Sequence, residues 1–240
     1  MTQKLSGSTC NDLRDQEIYH YLNIDYFLEQ LYRGEFYVGR KDLFNDITEA
    51  RLPLDQLFLP TEANRPLSSS DKFNIEQNYK KYEAYKEYSK SFVSCWTVNR
   101  KDDYLMWNVY AKQYGVCIVS TVHDFIRSLN QDRLQNYNLK YNKVAYRRYS
   151  FSDPLDKLLF QKLPLYSSEK EFRFIFTPKD DKDKEKRHIW IPFDCKVMIK
   201  EVVLSPFFSI NTTKFLQEII KERFGLKVIT SKDGSVVPHT

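Results

Sequence analysis

The pattern of apolar and polar positions predicts short strands that alternate irregularly with helices. Apolar or alternating runs predict strands at 17–22, 35–40, 91–98, 116–121, 137–149, 171–176, 188–193, 200–207 and 226–230. Helical spacing predicts helices over 23–34, 71–90, 102–115, 122–130, 154–163 and 211–225. Because most strands are not separated by one helix each, we expect an α+β fold with a mixed β-sheet flanked by helices, and not a doubly wound parallel sheet.

The predicted helix over 71–90 differs from the others in its apolar spacing. Its tyrosines recur at every third position, at 79, 82, 85 and 88, so their direction drifts around the helix and marks no single stripe. The preceding residues 52–70 contain three prolines and a run of serines, which predicts a loop. We therefore interpret about 61–90 as a partly exposed helical insertion, dispensable for the core, in a single domain of residues 1–240.

Two carboxylates stand at the mouth of the predicted strand 171–176. Strand alternation places three phenylalanines on a core face, and Glu171 and Arg173 on the opposite face, which we expect to border a cleft. Glu169 precedes the strand. A carboxylate fixed there can orient a ribose hydroxyl, act as a base or stabilise a developing cation. The residue pattern taken by itself favours a simpler interpretation, a surface ion pair between Glu171 and Arg173.

Other segments carry weaker candidates. Asp42, Asp46 and Glu49 could hold a divalent metal together with Glu169 or Glu171, although turn formation and helix capping explain the three acids equally well. Trp107 and Tyr110 are three residues apart and could hold a flat ring, or pack in the core. The predicted strand 137–149 combines four tyrosines with the basic residues Lys140, Lys143, Arg147 and Arg148. It could bind single-stranded nucleic acid by stacking and charge, or it could simply be a half-exposed strand.

Composition and charge narrow the function classes. The net charge of +5, from 37 basic and 32 acidic residues, permits a polyanionic partner without requiring one. No P-loop or dinucleotide fingerprint occurs, and the amino terminus lacks the apolar core of a signal peptide. No apolar run of about 18 residues predicts a membrane helix. The four cysteines are scattered without metal-ligand spacing, which favours a reducing, cytoplasmic location.

The order of several short motifs resembles a bacterial family, domain-of-unknown-function family 2971. That family shows a Y-[KH]-Y strand, an F-N-D-P-x-E turn, an S-F-S strand, an M-W-x-x-Y helix and an E-K-E-W-R strand. This chain has "YHY", "FNDITE", "SCW", "MWNVY" and "EKEFR" in the same order within about residues 17–177. It departs from the family at Ile47, where proline is usual, and at Phe172, where tryptophan is usual. The resemblance implies membership and no reaction.

The chain also resembles ADP-ribosyltransferases, whose split, mixed sheet carries the site on three strands. An early strand supplies His or Arg, a middle strand Ser or Tyr, and a late strand opens with Glu, often as E-x-E. The resemblance implies that Glu171 is catalytic, with Glu169 as a second acid. It implies a cofactor site for NAD formed by His20, Tyr21, Ser94, Trp107, Tyr110 and Arg173.

These observations favour an NAD-using enzyme of ADP-ribosyltransferase type, either a transferase or an NAD glycohydrolase, acting as a bacterial toxin or defence effector. The expected acceptor is a protein or a nucleic acid, without a metal and without a membrane partner. Two alternatives stay open. One is a metal-dependent nuclease that uses Asp46, Glu49, Glu169 and Glu171, and the other is a non-catalytic module that binds nucleic acid through the basic strand.

Overall fold

The computed structural model describes residues 13–44, 68–148 and 153–231. The strands in this part of the chain are β1 (Glu17–Asn23), β2 (Glu35–Arg40), β3 (Phe92–Thr97), β4 (Gly115–Thr121), β5 (Tyr137–Lys143), β6 (Ala145–Tyr146), β7 (Gln161–Lys162), β8 (Glu171–Pro178), β9 (His188–Pro192), β10 (Glu201–Leu204) and β11 (Val228–Thr230). The helices are α1 (Ile24–Arg33), α2 (Ser69–Tyr88), α3 (Tyr104–Val109), α4 (Val122–Ser128), α5 (Gln131–Leu134), α6 (Leu155–Leu158), α7 (Asp181–Lys184), α8 (Cys195–Met198) and α9 (Ile210–Phe224).

The chain forms two compact units. Unit 1 comprises the described residues of Met1–Phe36, Trp96–Gln131 and Ile191–Thr240, and unit 2 those of Tyr37–Cys95 and Asp132–Trp190. Each unit combines antiparallel and parallel strand pairs with helices. The predicted fold class, α+β with a mixed and mostly antiparallel sheet flanked by helices, is confirmed.

Strand β4 organises the sheet of unit 1. It pairs antiparallel with β1, from Glu17 opposite Thr121 to Asn23 opposite Gly115, and antiparallel with β10 on its other side. Strand β11 extends this sheet parallel to β10. Gly115 is required at the start of β4, because a Cβ atom there would lie 2.2 Å from the carbonyl oxygen of Leu22. The close approach of β1 and β4 thus depends on a residue without a side chain.

Strand β8 organises unit 2. It pairs antiparallel with β5 along its whole length, from Phe172 opposite Lys143 to Pro178 opposite Tyr137, and it also pairs with β3. Strand β2 pairs antiparallel with β3. Strands β6 and β7 form a separate parallel pair. The phenylalanine face of β8 is buried as predicted, and tyrosines of β5 pack against it.

Local sequence explains where α1 begins and ends. The Asn23 side chain accepts a hydrogen bond from the Asp25 backbone N–H, and Gly34 ends the helix in the left-handed conformation with φ of 63°. Both features are the caps that the sequence predicts. The predicted β1, α1 and β2 are therefore confirmed with nearly the expected boundaries.

Two predicted helices are shorter in the structure. The segment 102–115 forms only α3, after which Lys112 and Gln113 adopt left-handed conformations with φ of 50° and 68°, and Gly115 opens β4 instead of ending the helix. The segment 154–163 forms only α6, and Gln161–Lys162 then becomes β7. This second difference matters for the site, because it turns Lys162 from a helical residue into a strand residue.

Helix α2 contributes a tyrosine to the core of unit 2, and whether the helix is dispensable stays a prediction. Tyr85 is 3% exposed and belongs to a cluster with Val93 and Ile175 from β3 and β8 and with Leu158 and Leu159. Tyr79, two turns earlier, is 59% exposed. The three-residue period thus has the predicted consequence that the tyrosines drift from solvent into the core. The insertion itself stays a prediction.

No helix in the described part of the chain is both long enough and apolar enough to cross a membrane.

Candidate active site

The two predicted carboxylates flank a single left-handed residue in unit 2. Glu169 ends a 3-10 helix formed by Pro164–Glu169, and Glu171 begins β8. Lys170 between them has φ of 43° and ψ of 52°, and its backbone N–H donates to the Ser167 carbonyl oxygen at 3.4 Å. A left-handed conformation is unfavourable for a residue with a side chain, so the surrounding structure must hold this turn.

Arg173 holds the Glu171 carboxylate with two nitrogens. Its Nε lies 2.5 Å from Oε1 of Glu171 and its Nη2 lies 3.0 Å from Oε2, while Nη1 donates to the Leu159 carbonyl oxygen at 2.7 Å. Arg173 is 0% and Glu171 5% exposed. The expected ion pair therefore exists, but it is buried and does not lie on the surface. A bidentate pair of this kind fixes the orientation of the carboxylate as well as its charge.

Lys162 connects the two carboxylates. Its Nζ donates to Oε2 of Glu169 at 2.6 Å and lies 3.5 Å from Oε2 of Glu171. The same ammonium lies 4.5 Å from the centre of the Tyr166 ring. We call Glu169, Glu171, Lys162 and Arg173 the carboxylate cluster. All four side chains are buried, so their charges interact in a medium of lower polarity than water.

Backbone contacts fix the elements that carry this cluster. In the parallel pair of β6 and β7, Tyr146 is opposite Lys162. The Tyr146 hydroxyl accepts a hydrogen bond from the backbone N–H of Glu171 at 2.6 Å. The carbonyl oxygen of Glu171 accepts from Val144 at 2.9 Å. The start of β8 is thus attached to the same two-stranded pair that carries Lys162.

Cys95 and Lys41 complete the surroundings of Glu171. The Cys95 thiol donates to the Glu171 carboxylate, and burial followed by the charge of Glu171 raises the thiol pKa well above its usual range, so it stays a protonated donor. Lys41 is buried, with Nζ 4.6 Å from the centre of the Phe44 ring. Burial and the nearby Arg173 lower the pKa of Lys41.

Burial is the largest influence on the Glu171 carboxyl. It raises the pKa of this group above its ordinary value, and the charges of Lys162 and Lys41 oppose the rise. A carboxylate that is desolvated and held in place by hydrogen-bond donors can act as a base or stabilise a cationic transition state. The same features also occur in structural ion pairs, so the cluster requires a functional test.

Ser94 lies away from the carboxylate cluster within unit 2. Val93 and Cys95 pack with Ile175 on one side of β3, and successive residues of a strand point to opposite faces. Ser94 is therefore directed to the face of Phe92, whose ring contacts Tyr137 in the phenylalanine layer. Cys95, and not its neighbour Ser94, is the residue of β3 that lies beside Glu171. The role of Ser94 in binding NAD stays a prediction.

The predicted cofactor residues of β1 belong to unit 1, and as neighbours in a strand they face opposite sides of it. The His20 ring lies 4.9 Å from the Trp96 ring and 5.9 Å from the Phe36 ring. Tyr21 packs edge-on against Trp107 at 4.8 Å, and its hydroxyl donates to the Arg100 carbonyl oxygen at 2.7 Å. Both rings are thus held by aromatic neighbours of unit 1.

Trp107 and Tyr110 of unit 1 differ in their access to solvent. Trp107 is 1% exposed and packs with Tyr21, Met106 and Val203, whereas Tyr110 is 38% exposed. The Trp107 Nε1–H is buried, and it has no hydrogen-bond partner among the described residues. A ligand would meet Trp107 only if the core opened, whereas the Tyr110 ring is accessible. The predicted sandwich of a flat ring by this pair stays a prediction.

The residues proposed for the metal-dependent nuclease and for the nucleic-acid-binding module lie only partly within the described residues. No group of three or more His, Cys, Asp or Glu side chains that could hold a metal occurs within 13–44, 68–148 and 153–231. Asp46 and Glu49 lie outside these ranges, and Asp42 pairs with Arg40 at 2.8 Å. In the predicted basic strand, Lys140 and Lys143 lie on β5, and Arg147, beyond β6, pairs with Asp153 at 2.7 Å.

Sequence reasoning missed Lys162, Cys95, Lys41 and Tyr146. Only Lys162 had a partial signal, because Pro164 disfavours a helical conformation at Leu163 and so predicts extended backbone directly after Lys162. The other three come from segments far from Glu171 in the chain, and no local pattern marks their contact with it.

Comparison with known proteins gives structural matches alone. Neither a family model nor a curated protein matches the chain, so the resemblance to family 2971 is not shown. The chain is similar to Thermus sp. 2.9 DarT in complex with ADP-ribosylated ssDNA, with 10% identity, a TM-score of 0.40, and coverage of 91% of this chain and 95% of that chain. It is equally similar to Thermus sp. 2.9 DarT in complex with NAD+, with 11% identity, a TM-score of 0.40, and coverage of 91% and 96%.

Proposed function

We propose that this chain is an NAD-consuming enzyme of ADP-ribosyltransferase type in which Glu171 is the catalytic carboxylate. The observation that supports the proposal is the convergence of Glu169 and Glu171 on Lys162, with Arg173 holding Glu171 by two bonds. Cleavage of the bond between nicotinamide and ribose passes through an oxocarbenium-like state. A carboxylate that accepts a hydrogen bond from a ribose hydroxyl stabilises that state, as in glycoside hydrolysis.

Each residue of the proposed site receives a specific role. Glu171 accepts from the ribose hydroxyl, and Glu169 is the second acid. Arg173 directs three nitrogens at Glu171 and Leu159, so it orients the carboxylate, and the contact to NAD that the sequence suggested for it stays a prediction. Tyr110 is the aromatic residue that stacks on a ring of NAD, because its side chain is accessible. His20, Tyr21 and Ser94 stay proposed contacts to NAD.

The proposed substrate and acceptor follow from the motif resemblance and not from the likeness to DarT. The solved DarT structures contain NAD+ or ADP-ribosylated ssDNA, but a TM-score of 0.40 at 10% identity carries no weight for this chain's reaction. NAD is the proposed substrate, and a protein or a nucleic acid is the proposed acceptor.

The test is incubation of the purified chain with NAD, with and without EDTA, while nicotinamide release is measured. Adenylate-labelled NAD together with a cell lysate then shows whether a macromolecule receives the label. The proposal predicts nicotinamide release that EDTA does not change. Absence of release and of label transfer under all conditions would remove the proposed function, and cleavage of nucleic acid that EDTA abolishes would favour the nuclease.

A further inference from the structure

We infer that Lys162 is the positioning residue that holds Glu169 and Glu171 side by side and favours the ionised form of Glu171, and so sets the pH range in which the proposed reaction runs. The inference deepens the proposed function and rests on it for the reaction, whereas its electrostatic part concerns the carboxylates alone. Lys162 is not assigned any contact with NAD.

The geometry places the Lys162 ammonium against both carboxylates. Arg173 is engaged by both oxygens of Glu171 and by the Leu159 carbonyl oxygen. The Lys162 ammonium contacts Glu169, at 2.6 Å, and also reaches Glu171, at 3.5 Å. Two buried carboxylates in one site repel each other, and without an intervening cation one of them takes up a proton.

The position of the ammonium is fixed from several sides. Strand β7 pairs with β6, the Tyr166 ring lies 4.5 Å from Nζ, and the Lys162 side chain is buried. Lys170 holds the left-handed turn that places Glu169 and Glu171 around the same ammonium. The titratable and charged groups that face this site are Glu169 and Tyr166 from the 3-10 helix, Glu171 and Arg173 from β8, Cys95 from β3, Lys41 and Tyr146.

Among these neighbours, the cationic side chains differ in how they could replace Lys162. Lys41 lies beside Arg173, and burial lowers its pKa, so its charged form is less favoured than that of an exposed lysine. The Cys95 thiol is a neutral donor to Glu171. Loss of the Lys162 charge should therefore raise the apparent pKa of Glu171, with a shift on the order of one unit or more.

The experiment follows the carboxyl groups directly. Protein labelled with ¹³C at the glutamate carboxyl carbon is titrated by NMR, with Glu169→Gln and Glu171→Gln used to assign the two resonances. Lys162→Met is compared with Lys162→Arg, and with Lys157→Met as a matched control, because Lys157 is an exposed lysine of α6. The inference predicts that the titration midpoint of Glu171 rises by about one pH unit or more in Lys162→Met, changes less in Lys162→Arg and does not change in Lys157→Met.

A second pair of variants covers the case in which Lys162→Met does not fold. Glu169→Gln is compared with Glu169→Gln/Lys162→Met, which removes the ammonium together with its nearest carboxylate and leaves no unpaired charge from that contact. The Glu171 midpoint should be higher in the double variant. Equal midpoints in both comparisons would overturn the inference.

Kinetics separate this inference from the proposed function. If wild type releases nicotinamide, the acid limb of its pH profile should shift upward in Lys162→Met by the same interval as the NMR midpoint, while KM for NAD changes less than about twofold. If wild type releases none, the proposed function fails, yet the carboxyl titrations still decide whether Lys162 controls the ionisation of Glu171. An unshifted acid limb in a folded Lys162→Met enzyme contradicts the kinetic part.

Discussion

Glu171 and Arg173 stand two residues apart on β8 and form a bidentate ion pair from which solvent is excluded. Their side chains share one face of the strand, and the two parallel contacts measure 2.5 and 3.0 Å. Taking both charges out of water is costly, and the pair repays that cost only because Leu159 and Lys162 satisfy further groups. The pair is thus either a structural device or the base of an active site, and the two possibilities predict different experiments.

Arg173→Leu should strongly destabilise unit 2. It leaves the buried Glu171 carboxylate without its bidentate partner, which costs about 3–5 kcal/mol in the free energy of unfolding. Arg173→Lys keeps the charge but cannot make two parallel bonds, so its loss should be smaller. Urea unfolding measures both. A change below about 1 kcal/mol in Arg173→Leu would show that the pair contributes little.

The pH dependence of Glu171 should have a definite sign. Burial raises its folded-state pKa above the ordinary value of 4.5, so the folded protein binds this proton more tightly than the unfolded chain does. The contribution of Glu171 to stability is therefore greatest below that ordinary value and declines as pH rises through the raised pKa. The free energy of unfolding of wild type minus that of Glu171→Gln, measured across pH, gives this contribution. An increase of that difference with rising pH would contradict the raised pKa of Glu171.

Trp107 and Tyr110 should respond differently to truncation. Trp107→Ala removes a buried ring and should cost about 3–5 kcal/mol of stability. Trp107→Phe should cost much less, since it also removes an indole N–H that is buried without an acceptor. Tyr110→Ala should leave the melting temperature nearly unchanged and weaken NAD binding about fivefold, the loss of one stacking contact.

Calorimetric titration of NAD, alongside melting curves, distinguishes the two rings. Unchanged NAD affinity in Tyr110→Ala would remove that residue from the proposed site. A large loss of affinity in a stable Trp107→Phe would instead restore Trp107 to it.

Tyr85 and Tyr79 form a matched pair on α2. Tyr85→Ala should destabilise unit 2 by about 3 kcal/mol, because the ring packs with Val93 and Ile175. Tyr79→Ala should change stability by less than about 0.5 kcal/mol, because its ring faces solvent. Thermal unfolding of the two variants measures the contrast. Equal, small effects would support the original expectation that the helix is dispensable.

Local signals explain the part of the fold that the sequence predicted. The caps at Asn23 and Gly34 delimit α1, and the alternation in 171–176 assigns the phenylalanines to the core. The predicted boundaries failed where apolar spacing continued past the end of a helix. Lys112 and Gln113 adopt left-handed conformations after α3, and the chain after α6 pairs with β6 as β7 instead of continuing the helix.

The candidate site was predictable only in part, because its contacts join distant segments. Alternation placed Glu171 and Arg173 on one face, but it could not show that Leu158 and Leu159 cover that face. Cys95 is far from Glu171 in the sequence and lies beside it because β3 pairs with β8. Ser94, chosen from the motif order, is the neighbour of Cys95 in β3 and therefore points to the opposite face of that strand.

The central claim is that the Glu171 carboxylate serves catalysis in addition to the fold. The most direct measurement is nicotinamide release from NAD by wild type and by Glu171→Gln, each normalised to the folded fraction at the assay temperature. Because general acid–base and electrostatic contributions of one group amount to about 10²–10⁴-fold, we predict a loss in this range for folded Glu171→Gln. Release by folded Glu171→Gln at the wild-type rate would contradict the claim and leave the carboxylate cluster a structural one.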